Sequence, residues 1–252
     1  MHILLPGIKP SPFPSSRTST PSNPLTLLLD AVGTLIHPVE PAGQTYARHL
    51  EACTGETVPP ERMQSAFQRL FSTNALPDYE GHPSGHAAER AWWRGLVRKI
   101  LVDAGAYQSL QNEEGMFETY FSTLFDHYAA PSSWQLYPET TEFLEAASQL
   151  GPLAVVSNFD DRLTPVLNGL GVGPFFEHIF TSAEARARKP DPAPFDLALD
   201  RLNCAPRETF HCGDSFEADY RGASSLGLRA FHLVRPGQTL LDFLDFSRQN
   251  PA

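Results

Sequence analysis

Apolar and polar positions along the chain fall into two regimes. At Leu25 a compact apolar run, Leu-Thr-Leu-Leu-Leu, ends in Asp30 and passes into Gly33-Thr34, the pattern of a buried strand running into a turn. From about Thr45 to Tyr128 strand signals vanish and apolar residues recur at helical spacing, with Phe67, Leu70 and Phe71 on one face and Trp92, Leu96 and Lys99-Ile100 on another. After Pro138 the two periods alternate. A helix to Leu150, the run Leu153 to Val156, a helix from Asp161, the run His178 to Thr181 and a helix after Pro192 follow in turn. The run Thr209 to Cys212, a helix through Ala218 to Leu226, and the stretch Leu228 to Val234 complete the series. Short apolar runs separated by helices predict right-handed crossovers and a parallel sheet covered on both faces, with the helical block inserted into it.

Composition narrows the functional classes. A chain of 252 residues with 41% hydrophobic and 19% charged residues has the make-up of a globular protein, and its length allows a core domain carrying a smaller insert. The net charge of -10 repels polyanions, so nucleic acid and anionic membrane surfaces are excluded as partners, and an anionic substrate needs a local site. Cys53, Cys204 and Cys212 are odd in number and widely spaced, which argues against disulfides and a zinc site and for a reducing compartment, the cytoplasm. No apolar run approaches the roughly 20 residues of a membrane span. Residues 1–24 are rich in Pro and Ser, with Pro6 interrupting the one apolar stretch. They read as a disordered tail, an organelle transit segment being the alternative.

In a doubly wound sheet, ligands bind outside the carboxyl ends of the strands, so polar residues directly after apolar runs are the candidates for chemistry. Four places qualify: Asp30, Ser157-Asn158, Lys189 in the loop after Thr181, and Gly213-Asp214. A carboxylate, a hydroxyl, an ammonium and a second carboxylate in one cleft suit in-line displacement at phosphorus. Asp30 is the candidate nucleophile. Asp30, the backbone carbonyl of Val32 and Asp214 form a hard oxygen set of the kind Mg2+ prefers. Lys189, Ser157 and Asn158 would hold the transferring group, and Asp219 would orient Lys189 or the metal waters.

Taken together, Asp30-Ala-Val-Gly-Thr-Leu35, Ser157-Asn-Phe-Asp160, Lys189-Pro-Asp-Pro192 and Gly213-Asp-Ser-Phe-Glu-Ala-Asp219 resemble the four successive motifs of the haloacid dehalogenase-like (HAD) hydrolase superfamily. The segments Ser157-Asn-Phe-Asp-Asp-Arg-Leu163, Lys189-Pro-Asp-Pro192 and Trp92-Trp93 are similar to the subgroup containing haloacid dehalogenase-like hydrolase domain-containing protein 3. The likeness runs from about Leu25 to Val234. It implies a Rossmann-like core over residues 25–36 and 131–252, a helical cap over 37–130, and a magnesium-dependent phosphatase of a small phosphorylated metabolite working through an aspartyl-phosphate.

One position departs from that pattern. Family phosphatases usually carry a second aspartate two residues after the nucleophile, and here that residue is Val32. Valine transfers no proton, and such general acid-base help is worth about a hundred- to ten-thousand-fold, so slow turnover is expected. Two other functions fit a missing acid: a 2-haloacid dehalogenase, whose halide leaves unprotonated, and a binding protein that kept the fold but lost turnover.

Each candidate also has a plain structural reading. Asp30 is a good turn former beside Gly33, Asp214 and Ser157-Asn158 are good caps, Lys189 before Pro190 reads as a solvated loop residue, and Asp219 as a solvated helix residue. His82 and His86 have metal-pair spacing, but Gly81, Pro83 and Gly85 should break a helix there. Of the adjacent Trp92 and Trp93 only one should face the cap interior, and His211 and Cys212 read as core.

Overall fold

The computed structural model describes residues 25–111 and 114–250, so the expected tail, 1–24, lies outside the described residues. Strand β1 (Thr26–Leu29) opens the fold. It is followed by β2 (Ile36–Pro38), the helices α1 (Ala42–Thr54), α2 (Pro60–Thr73), α3 (Gly85–Asp103) and α4 (Met116–His127), and β3 (Trp134–Leu136). Alternation then begins with α5 (Thr140–Ala147), β4 (Leu153–Ser157), α6 (Leu163–Gly169), β5 (His178–Thr181), α7 (Ser182–Ala185) and α8 (Ala193–Leu202). It ends with β6 (Thr209–Gly213), α9 (Gly222–Ser225), β7 (Arg229–His232) and α10 (Leu240–Gln249).

Five strands form one parallel sheet in the order β5-β4-β1-β6-β7. The chain passes from central β1 to β4 and β5 on one side, then crosses to β6 and β7 on the other. The direction of winding therefore reverses between β1 and β6, and the crevice at their carboxyl ends is where sheets of this kind bind ligands. Residues of one strand alternate between two cores. Leu27 and Leu29 pack with Val155, Phe210 and Cys212 on one face, while Leu28 packs with Ala154, Val156 and Phe180 on the other. Because both faces are covered, the strand is apolar at successive positions rather than at every second one.

Helices α1 to α4 build a separate core from residues such as Tyr46, Leu50, Met63, Leu96, Ile100 and Phe121. Each large side chain so buried contributes roughly 1.5–3 kcal/mol, and that burial, more than helix propensity, holds the block together. The block hangs on a stem: β2 and β3 pair antiparallel, with Ile36 opposite Leu136. Strands of three residues leave no readable alternation, and the sequence gives no sign of this ribbon.

Two local expectations need correction. The helix expected through Ala218 to Leu226 opens as a π-helical turn, Phe216–Arg221, before α9 begins. The Ser215 carbonyl accepts from both Asp219 N (2.9 Å) and Tyr220 N (3.2 Å), which widens the turn. Helix α3 is not broken at Gly85 but starts there, capped by the Ser84 hydroxyl, which accepts from Ala87 N, so His86 lies in its first turn. Gly85 serves close packing: a Cβ would stand 1.8 Å from the Ala183 carbonyl oxygen of α7.

The block also carries a pH-sensitive pair. His49 of α1 and His127 of α4 stack edge to face with ring centroids 5.2 Å apart, and the buried His49 Nε2 has no hydrogen-bond partner. Burial, reinforced by positive charge on His127 and Arg48, pushes the His49 pKa down to about 4. Its unfolded pKa is about 6.5, so as pH falls below that value the unfolded chain takes up the proton first. Stability is then lost between about pH 6.5 and 4. Unfolding free energies from urea titrations at pH 7 and pH 5 should differ less in His49→Gln than in the wild type, by on the order of 1 kcal/mol after solvent screening; an unchanged difference would show that His49 does not contribute.

Candidate active site

The two strands that flank the switch point deliver the two acids. Leu29 pairs with Cys212, and Asp30 N donates to the Cys212 carbonyl at 2.9 Å, so the ladder continues to the last residue before the nucleophile candidate. Asp30 and Asp214 thus leave adjacent strand ends at nearly the same height. With Asp219 they form a cluster in which one oxygen from each lies within 4.8 Å of the others, the one such group among the described residues.

Lys189 sits against this cluster, and it is buried rather than solvated, with 3% of its surface exposed. Its Nζ donates to Asp30 Oδ1 at 2.9 Å, Asp219 Oδ1 at 2.5 Å and the Val156 carbonyl at 2.6 Å, which uses all three ammonium protons. Asn158 positions the loop that carries it: its side-chain amide donates to the Lys189 carbonyl at 2.9 Å, and its Oδ1 accepts from Lys189 N at 2.7 Å. Ser157 Oγ donates to Asp30 Oδ1 at 2.9 Å, so Oδ1 is filled. Oδ2 has only the Thr34 hydroxyl at 3.5 Å, at the limit of a hydrogen bond. Asp219 is held by Lys189, by Ser215 N at 3.0 Å and by His211 Nε2 at 3.0 Å. Its place is that of an anchor for Lys189, and the His211 partnership is one that sequence reading missed by taking His211 as plain core.

Two glycines make room. At Gly33, with φ +90°, a Cβ would stand 2.4 Å from Asp214 Oδ2, and at Gly213 it would stand 2.1 Å from Asp219 Cγ. The Gly33 and Thr34 carbonyls beside the first of these accept from Arg235, at 3.2 and 2.8 Å, and Arg235 also binds Glu139.

Charges decide the electrostatics. Burial pushes Asp30 up, with Lys189 opposing and the Asp219 charge adding to the rise. Burial works against the charge on Asp219, yet the Lys189 ammonium and the His211 bond outweigh it and hold this carboxyl well below the usual range. Desolvation likewise opposes a charged Lys189, but its two carboxylates win and raise its pKa. Asp214 reaches solvent at the cleft mouth, yet desolvation on its inner side and the charges of Asp30 and Asp219 push its pKa up to about 7. Burial keeps His211 neutral by lowering its pKa. With all three carboxyls ionised the cluster would carry two negative charges beyond the Lys189 ammonium, and the raised pKa values of Asp214 and Asp30 show protons relieving part of that excess where a divalent cation would otherwise do so. Asp30 Oδ2 and the Asp214 carboxylate are the oxygens with spare lone pairs, so a hard cation such as Mg2+ fits the donor set.

Beside the cluster lie two ion pairs that the sequence did not announce. Arg162 binds Asp160 through two nitrogens at 2.8 Å. Arg188, next to Lys189, binds the fully buried Glu89 of α3 and lies 3.8 Å from the Trp92 ring centre. Val32 is half-buried and faces an apolar cavity between core and helical block, which Trp93 also lines. Both tryptophans are therefore partly enclosed, Trp93 toward the cavity and Trp92 under Arg188, where one had been expected inside.

Removing the ammonium should be costly, because Asp30 and Asp219 would remain buried without compensation. Lys189→Met is expected to destabilise the fold by about 3–5 kcal/mol, measured by urea unfolding at pH 7; a loss below about 1 kcal/mol would mean that the carboxylates do not depend on it. Gly33→Ala should instead weaken Mg2+ binding at least ten-fold in calorimetry by displacing Asp214, and an unchanged affinity would place the cation elsewhere.

Comparison with known proteins agrees with this architecture. The family model for haloacid dehalogenase-like hydrolase matches residues 25–227. Haloacid dehalogenase-like hydrolase domain-containing protein 3 of Danio rerio is 30% identical over 232 residues, covering 87% of this chain and 93% of the relative. Phosphoglycolate phosphatase of Yersinia pseudotuberculosis serotype I is 27% identical over 159 residues, 60% of this chain and 68% of that one. Among solved structures, a HAD phosphatase from Thermococcus onnurineus superposes with a TM-score of 0.61 at 21% identity, covering 90% and 99% of the two chains, and shares the fold. With its parallel sheet and ordered motifs matched over most of its length, the chain belongs to the haloacid dehalogenase-like hydrolase family.

Proposed function

We propose that the protein is a magnesium-dependent phosphohydrolase that removes the phosphoryl group from a small phosphorylated compound, slowly where the leaving group needs a proton. The observation that carries this reading is the buried Lys189 ammonium bridging Asp30 and Asp219 beside Asp214, an acidic oxygen cluster of the size that holds one cation. The similarity to a phosphoglycolate phosphatase supports phosphorus, rather than carbon, as the reacting centre. The overall charge of -10 speaks against nucleic-acid substrates.

In this reading Asp30 attacks phosphorus with one carboxylate oxygen, forming an aspartyl-phosphate and splitting the displacement into two steps. Lys189, held by Asp219, stays protonated and places its charge beside the equatorial oxygens, while Ser157 turns its hydroxyl from Asp30 toward them. Asp30, Asp214 and the Val32 carbonyl would hold a magnesium ion, which would supply charge neutralisation between anionic nucleophile and anionic substrate. Val32 gives no proton to the departing oxygen. A dehalogenase would also tolerate Val32, but carbon chemistry gives no use to a second free carboxylate at Asp214.

Incubation with p-nitrophenyl phosphate should release phosphate in a Mg2+-dependent, chelator-sensitive way. Val32→Asp should raise the rate on alkyl phosphates about a hundred-fold or more, and the rate on the nitrophenyl ester by less. Chloride release from 2-chloropropionate without phosphate release would establish the dehalogenase instead, and inertness of both proteins toward both compounds would leave a binding role.

A further inference from the structure

The cavity beside Val32 has a volume of about 420 Å³, inside the roughly 300–1,000 Å³ range of small-molecule sites. Two of its lining residues adjoin the candidate site: Val32 stands two residues from Asp30 in the chain, and Asn158 is hydrogen-bonded to the backbone of Lys189. The remaining wall is largely aromatic: Tyr46, Phe121 and Trp93 come from the helical block and Trp134 and Phe159 from the core. Of the residues that line it, Arg162 alone is charged, and that charge is already taken. Asp160 holds the guanidinium through two bonds, the Phe125 carbonyl accepts a third at 3.0 Å, and the Phe125 ring lies 3.5 Å away. An acidic substrate body, such as a carboxylate, would lose its water here and find no free cation.

We infer that the substrate is a small aryl phosphate whose neutral aromatic ring occupies this cavity, an assignment that rests on the phosphohydrolase reading above. Cavity and missing acid select the same compound. A phenol ionises near pH 10, as tyrosine does, so the phenolate departs without being protonated, whereas an alkoxide requires the acid that Val32 does not supply. In the first step a bond forms from Asp30 oxygen to phosphorus. The phosphorus–oxygen bond to the ring breaks, and its electron pair leaves on the phenolate, which takes its proton from solvent. In the second step water attacks phosphorus and the bond from phosphorus to the Asp30 oxygen breaks, restoring the Asp30 carboxylate and releasing dihydrogen phosphate, which keeps both protons of the water.

Four esters with Mg2+ test this in the wild-type protein: phenyl phosphate, 2-naphthyl phosphate, 2-cyclohexylethyl phosphate and phosphoglycolate. The aryl esters should exceed phosphoglycolate in kcat/KM by a hundred-fold or more. Naphthyl phosphate should show a KM about ten-fold below that of phenyl phosphate because its second ring is buried. Cyclohexylethyl phosphate should compete with naphthyl phosphate at a similar concentration yet turn over at least a hundred-fold more slowly, which separates ring binding from leaving-group chemistry. Phosphoglycolate hydrolysed as fast as the aryl esters would overturn the aryl assignment while leaving the phosphohydrolase intact. If no ester releases phosphate, the phosphohydrolase reading fails and quenching of tryptophan fluorescence decides the cavity. Naphthyl phosphate binding at least ten-fold more tightly than phenyl phosphate would uphold an aromatic occupant, and equal binding would overturn it.

Discussion

A charged amine without access to water organises the parallel-sheet half of this protein. The effective cost of burying an ion is several kcal/mol, and it is offset only where geometry and hydrogen bonds are both good. Lys189 meets that condition by spending its three protons on Asp30, Asp219 and the Val156 carbonyl, which belong to the ends of β1, the turn after β6, and β4. One side chain from the loop after β5 thereby pins the carboxyl ends of three neighbouring strands. The site's geometry and the core's stability are consequently one set of interactions. Gly213 is part of the same constraint, because the Asp219 carboxylate occupies the space that any side chain there would fill.

The pin extends outward through the residue beside it. Arg188 reaches from the same loop to Glu89 on α3, and the Glu89 carboxylate also accepts from the Ser182 hydroxyl at 2.5 Å. With Gly85 packed against the Ala183 carbonyl, the first turns of α3 are thus fixed to the loop that presents Lys189. On the other side the β2–β3 stem leads from Asp30's own loop into the helical block. The block is anchored at both edges of the cleft, so its cavity wall is set with respect to Asp30 by buried charge as well as by the chain.

Sequence made the sheet legible because its strands are covered on both faces: continuous apolar runs such as Leu25 to Leu29 and Leu153 to Val156 have few other uses. The site was legible for a related reason, since a polar residue ending such a run is delivered to the ligand-binding edge. Partnerships that depend on distant residues left no mark. Nothing around Glu89 distinguishes it from a solvated helix residue, because its partner lies 99 positions away. Lys189 is marked as a candidate by its place after a strand, but the three bonds that bury it are hidden for the same reason, and His211 gives no hint that its ring meets Asp219. The π-helical turn follows from two amides sharing one carbonyl, a choice that hydrophobic periodicity does not encode.

Val32 is where the two halves of the molecule meet, and its chemistry follows from that position. Its backbone belongs to the turn that carries Asp30, while its side chain belongs to an aromatic wall. An aspartate at this point would enter a region where Asp30, Asp214 and Asp219 already leave negative charge in excess, and where the cavity offers no unpaired cation. Both effects favour the protonated form. Such a residue would be a competent acid toward a leaving group, but it would add a polar group to a surface built to exclude water. Valine forgoes the proton and keeps the wall apolar. Under the proposed phosphoryl chemistry the gain would be greatest for a leaving group that needs no proton and is itself apolar, so Val32 and the cavity next to it would act on one property of the substrate.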